Sequence, residues 1–291
     1  MRDEVVNAKM SSEKLFQIPR IFDNLLSSQP LCFNLFAELQ QDIDLATAVM
    51  RELVPGRIER VTGIAFEYSP GRGDPRYTND KSAFDAYVAF ETPGGGQGFA
   101  GIETKYSETL AGSAAPHRRR YDEVATLMGC FKQKRLRDLR DQPLHQIWRD
   151  HLLAGSLRAE DDYEDGFFVF LYPEGNRRCR NAQLAYQDSL LDNDTFLAWT
   201  LEKVTTVIKR HTRSAWIDDF VERYLNFDKL QDTWPWPPSV YPKVSSGLRQ
   251  NIKRQPRNSS NMIKASMALR VLKMGTSKNG EGETAAKESE A

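Results

Sequence analysis

Glu103, Thr104 and Lys105 close an apolar run, GFAGIETKYSE. Side chains alternate along an extended chain, so the Glu103 carboxylate and the Lys105 ammonium, two residues apart, point to one face. Alone, such a pair reads by default as an exposed cross-strand charge pair. Upstream, SAFDAYVAFETP supplies a second carboxylate, Asp85, and PGGGQG between the two stretches is a turn that folds one onto the other. With the turn centred on Gly94 to Gly96, Asp85 is expected opposite Thr104 or Lys105, with a latitude of one or two residues. Two carboxylates that close repel unless a cation lies between them, and a hard divalent ion with oxygen ligands suits the gap. A lysine beside them can stabilise developing negative charge or hold an attacking water.

Several elements must position these groups. SSQPLCFNLFAELQQDIDLATAVMREL repeats Leu31, Leu35, Leu39 and Ile43 at helical spacing, with Ser28 as N-cap and Pro30 in the first turn, and predicts one helix over 30–53. Glu38 falls near its apolar stripe, and an inward carboxylate needs a partner or a job. RIERVTGIAFEYSP, 57–70, reads as a strand and GRGDPRYTND as a loop. In the next strand Phe84, Ala86, Val88 and Phe90 are expected on one face, with Asp85, Tyr87 and Ala89 on the other.

Beyond the motif strand, a helix is predicted from Pro116. LHQIWRDHLLA, 144–154, gives another, with Leu144, Ile147, Trp148, His151 and Leu152 on one face. GFFVFLYP, 166–173, is apolar throughout and predicts a strand buried on both faces. Helices over 179–191 and 194–226 follow, and a short one is expected around Ser12 to Leu26. The organisation is then an extension over 1–26, one α/β domain over 27–239 and a basic tail over 240–291. Between Tyr241 and Gly280 the tail holds nine Lys or Arg and no acid, and it reads as unpacked.

Composition removes several function classes. Forty basic and 40 acidic residues cancel, so any nucleic-acid surface must come from local segregation of charge. The segment 117–140 has such an excess, eight cations against three acids, and Arg118, Arg119, Arg120, Lys132, Lys134 and Arg135 are its candidate phosphate contacts. The bland alternative is a solvated helix face. Cys32, Cys130 and Cys179 are too scattered for a disulfide framework or a CxxC site, and the four histidines lack HxH or HxxxH spacing. No GxSxG and no GxxxxGK[ST] occurs. No run approaches the ~20 apolar residues of a membrane helix, and the chain start lacks a signal-peptide core. A cytoplasmic protein is expected.

The order of elements, with FDAYVAF and GIETKYSE in the core, QIWRDHLLA and FLYPEGN after it and SSQPLCFNLF before it, resembles the PD-(D/E)XK nuclease superfamily. Within that superfamily it is similar to a bacterial group of restriction endonucleases, over about residues 25–190. The resemblance implies a restriction endonuclease-like α/β fold, a central mixed β-sheet flanked by helices. It also implies a nuclease site in which Asp85 and Glu103 hold Mg²⁺, with Mn²⁺ able to substitute, the Thr104 carbonyl adds a ligand, and Lys105 is the catalytic lysine. Phe84 stands where the family name has Pro. Glu38 fits the acidic residue that the first helix often contributes, with Glu67 as its competitor. The implied substrate is DNA, cut in defence against foreign DNA. The readings to be separated from it are an RNA-directed nuclease and a non-cleaving nucleic-acid-binding module. A homodimer would suit cutting both strands.

Overall fold

The computed structural model describes residues 24, 26–112 and 114–227, all within the first of the chain's two units, Met1–Pro235. The expected helix around Ser12 and the basic tail lie outside the described residues.

Two helices come first among the described residues, α1 (Ser28–Gln41) and α2 (Ile43–Leu53). Three strands follow: β1 (Arg60–Tyr68), β2 (Phe84–Glu91) and β3 (Gln97–Thr104). Then come α3 (Arg119–Met128), two 3₁₀ turns, α4 (His145–Glu160), β4 (Asp165–Tyr172) and α5 (Arg177–Gln187). β5 (Phe196–Thr200), α6 (Leu201–His211) and α7 (Ala215–Tyr224) complete it. The sheet order is β1-β2-β3-β4-β5, with β1, β2 and β3 antiparallel and β3, β4 and β5 parallel. This is the central mixed β-sheet that the family resemblance implies.

One face of the sheet carries a core that takes in α1, α2, α6 and α7; the other face carries α3, α4 and α5. β4, central among the parallel strands, is buried from Gly166 to Tyr172, as its unbroken apolar run requires. Burying each such Phe contributes roughly 1.5–3 kcal/mol, so β4 anchors the strand beside it, β3.

The structure corrects several local expectations. The single helix over 30–53 is two helices, because Asp42 leaves helical backbone angles and its side chain accepts from the Leu45 N–H at 2.9 Å. The cap of α1 is Ser27, not Ser28. The helix expected from Pro116 begins at Arg119. Residues 194–226 are not one helix: β5 comes first, and the Thr200 hydroxyl then caps α6 at the Lys203 N–H.

Phe84 leaves the face of Ala86, Val88 and Phe90 and joins the opposite core, 6.4 Å from the Phe99 ring. Opposite Asp85, at the point where this alternation breaks, Glu67 on β1 adopts a left-handed φ of 48°. The Phe84 ring lies over Gly101, where a Cβ would meet it at 2.5 Å. The glycine in GFAGIETKY is therefore the seat of the aromatic next to Asp85.

Candidate active site

Asp85 is the second residue of β2 and Glu103 and Thr104 end β3, so the site forms where the hairpin opens, at the ends of these strands. The ladder runs to Ala86↔Ile102, which sets Asp85 level with Glu103, one residue before the expected partner. Asp85 Oδ2 accepts from the Thr104 N–H at 2.8 Å. Lys105 N–H donates to the Leu171 carbonyl at 2.8 Å, toward β4. Alternation then turns the Thr104 N–H and C=O toward β2, the side of Asp85.

The Lys105 Nζ donates to Glu103 Oε1 at 2.5 Å, and the pair is nearly buried, with side-chain exposures of 10% and 7%. Gln146 Nε2, from α4, donates to the same oxygen at 2.6 Å. Both of these hydrogen bonds fall on Oε1, so Oε2 carries none among the described residues. Burial drags the Lys105 ammonium down, yet the charges of Glu103 and Asp85 and the hydrogen bond to Glu103 carry it above its ordinary range. Asp85 moves well above the usual carboxylate range, first through burial and then through the charge of Glu103.

A further carboxylate, on α4, belongs to the group. Asp150 is 2% exposed, its Oδ2 has no hydrogen-bond partner, and burial and the Glu103 charge push its carboxyl well up. Sequence reasoning missed Gln146 and Asp150. Their i, i+4 spacing on the side of α4 away from Ile147 and Trp148 was the available signal.

Glu38 is exposed and lines a cavity with Asn34, Trp216 and Arg223, because α1 buries so much of its circumference that Asn34, Glu38 and Gln41 form its only polar stripe. Glu67 is the acid whose charge reaches Asp85, and it accepts from Gln29 Nε2 at 2.8 Å. Most of the 117–140 cations are neutralised locally. Arg119 pairs with Glu123 at 3.0 Å, Arg135 with Asp138 at 2.8 Å, and Lys132 donates to the Asp188 carbonyl at 2.8 Å. Arg120 is spent on the Tyr77 carbonyl at 2.8 Å and on Glu160 at 3.3 Å. Arg118, Lys134 and Arg137 are exposed and make no ion pair among the described residues.

Among the described residues no group of three or more His, Cys, Asp or Glu is assembled to hold a metal. The donor set that does converge is oxygen only, two carboxylates on adjacent strands and one main-chain carbonyl turned to their side, and it suits a hard divalent ion rather than zinc. Among the described residues no helix is long and apolar enough to cross a membrane. No curated protein and no solved structure gives a significant match. A family model described as the PD-(D/E)XK nuclease superfamily matches residues 1–226, a span that holds every described helix and strand, and the chain therefore belongs to the PD-(D/E)XK nuclease superfamily.

Proposed function

We propose that the protein is a divalent-metal-dependent endonuclease that hydrolyses phosphodiester bonds of DNA, with Asp85, Glu103 and Lys105 as its catalytic residues. The observation that carries this reading is the level placement of Asp85 and Glu103 on neighbouring strands, with Lys105 Nζ 2.5 Å from Glu103. Superfamily membership supplies the nuclease class. DNA as substrate, Mg²⁺ as the physiological ion and a role in defence rest on the similarity to restriction endonucleases.

Asp85, Glu103 and the Thr104 carbonyl would hold the ion. When bound, it would polarise the scissile phosphate and make a water acidic enough to attack at neutral pH. Hydrolysis forms one P–O bond to the water oxygen and breaks another to the leaving oxygen, which takes up a proton. Lys105 is kept cationic by the carboxylates around it, so it acts as a donor, orienting the water or a phosphoryl oxygen and stabilising charge that develops there. Gln146 also donates to Glu103 Oε1 and so restrains the carboxylate that Lys105 holds by the same oxygen.

The test is parallel incubation of single-stranded DNA, duplex DNA and RNA with Mg²⁺, Mn²⁺ or EDTA. Cleavage of DNA with either ion and none in EDTA is expected. Cleavage confined to RNA would replace the substrate, and binding without cleavage under any ion would make the protein a binding module.

A further inference from the structure

Exposed cations without an ion pair among the described residues also occur on α5, outside the segment with the largest local charge excess. Its sequence, RRCRNAQLAYQ, contains no acid and opens on Arg177 and Arg178. Both are exposed, and neither makes an ion pair among the described residues; Arg180 alone in that turn is paired, with Glu174 at 3.2 Å. Cations at the positive end of a helix are repelled by its dipole and gain nothing from it unless an anion joins them.

Place gives this pair its meaning. β3 and β4 are parallel, so the chain leaving Lys105 and the chain leaving Tyr172 toward α5 emerge at one edge of the sheet. Asn176, the cap of α5, ties the two segments by donating from Nδ2 to the Tyr106 carbonyl at 2.9 Å. The Lys105 charge is felt at Cys179, in the first turn of α5. A cavity of about 580 Å³ opens between these segments, lined by Tyr106, Ser107, Glu108, Arg177 and Arg178 among others. A second, of about 370 Å³, continues past Arg178 to Leu110, Pro143 and Asn181. Arg178 thus stands between two hollows that together form a trough beginning one residue after Lys105. The acid in the trough, Glu108, is engaged: its carboxylate accepts from the Ser28 N–H at 2.6 Å and the Tyr106 N–H at 2.9 Å.

We infer that this trough is the track of the substrate's phosphodiester backbone, with Arg177 and Arg178 contacting phosphates next to the one that is cut. The inference rests on the nuclease reading above and assigns its binding surface. The 117–140 face is the competing surface, with Arg118, Lys134 and Arg137 as its cations without an ion pair among the described residues.

The experiment measures anisotropy of a labelled DNA oligonucleotide with the full chain in Ca²⁺ across a salt series, and steady-state cleavage in Mg²⁺. The Arg177→Ala/Arg178→Ala double variant is expected to bind about tenfold more weakly and to flatten the log K against log salt slope by about 1.4–1.8, two phosphate contacts' worth. KM should rise with kcat little changed. The matched double change Arg51→Ala/Lys209→Ala should leave binding and cleavage as they are. Unchanged affinity and salt slope in the α5 variant, while the unmodified protein still binds and cuts, would overturn the trough and leave the nuclease reading standing. Loss on Arg118→Ala/Lys134→Ala instead would move the track to the other face. An unmodified protein that neither binds nor cuts would remove both.

Discussion

Asp85→Asn should make the metal-free protein more stable and remove its response to divalent ions. The Asp85 carboxyl faces the negative charges of Glu103 and Glu67 against the cation of Lys105, and the Asp150 carboxyl faces Glu103 and Asp80 against Arg149 and Lys105. The folded chain holds the Asp85 carboxyl above its value in the unfolded chain, first by burial and then by the Glu103 charge. A carboxyl raised in this way favours the folded state fully only below its unfolded value, and that contribution is lost as pH rises through the folded one. At pH 8 an amide avoids the cost and can keep the 2.8 Å hydrogen bond from the Thr104 N–H. Removing a poorly compensated charge of this kind is worth about 1–2 kcal/mol, or roughly 2–8 °C in Tm for a domain of this size. Mg²⁺ at ten times its Kd should stabilise the unmodified protein by about 1.4 kcal/mol and the variant by far less. Differential scanning calorimetry in EDTA and in Mg²⁺, at pH 4.0 and 8.0, reads all four cells. A variant less stable than the unmodified protein at pH 8.0 in EDTA, or equally stabilised by Mg²⁺, would refute the electrostatic account of the site.

Two other positions carry predictions of their own. His151 is wholly buried between the Tyr186 hydroxyl and Thr195 Oγ1, each at 2.9 Å, and burial pulls its imidazole down to about 3. The unfolded chain takes up that proton near pH 6.5, so stability should fall as pH drops from 6.5 toward 3, by about 2 kcal/mol at pH 5; denaturant titrations at pH 7 and pH 5 should show this difference in the unmodified protein and not in His151→Gln, and equal pH slopes would contradict it. Gly101→Ala drives a Cβ to within 2.5 Å of the Phe84 ring and should cost about 1–3 kcal/mol by overpacking, while lowering cleavage by displacing Asp85; full activity at an unchanged Tm would show that Phe84 does not set the position of Asp85.

The hairpin was legible because two period-2 signals flank an emphatic glycine turn, and a turn of known length leaves register only a residue of freedom. Alternation then puts Glu103 and Lys105 together without further information. β4 was legible for the same kind of reason, an apolar run too continuous for a surface strand. What escaped was set by single residues or by distant partners. Asp42 breaks one apolar periodicity into two helices while leaving the pattern intact. β5 is five residues that run straight into α6, so a helical pattern masks a strand. Glu38 misleads because a helix buried around most of its circumference has only a narrow polar stripe, and spacing from two leucines cannot locate it. Asp150 was hidden by the opposite habit, since a charge on an amphipathic helix is read as solvent-facing, whereas α4 is buried on both sides. The charge count over 117–140 could not show that its arginines are spent on Glu123, Asp138, Glu160 and Asp188, some of them far along the chain.

The measurement that bears most directly on the catalytic assignment is single-turnover cleavage of DNA in Mg²⁺ by Glu103→Gln and Lys105→Met, with Tm recorded alongside. Both variants keep side-chain volume; Glu103→Gln removes one of the crowded negative charges and should remain folded, whereas Lys105→Met takes away the cation that offsets the carboxylates and should lower Tm, and each should lose at least about 100-fold in rate, the scale set by removing a group that stabilises developing charge. Cleavage at the unmodified rate by a folded Glu103→Gln protein would contradict the assignment of this site.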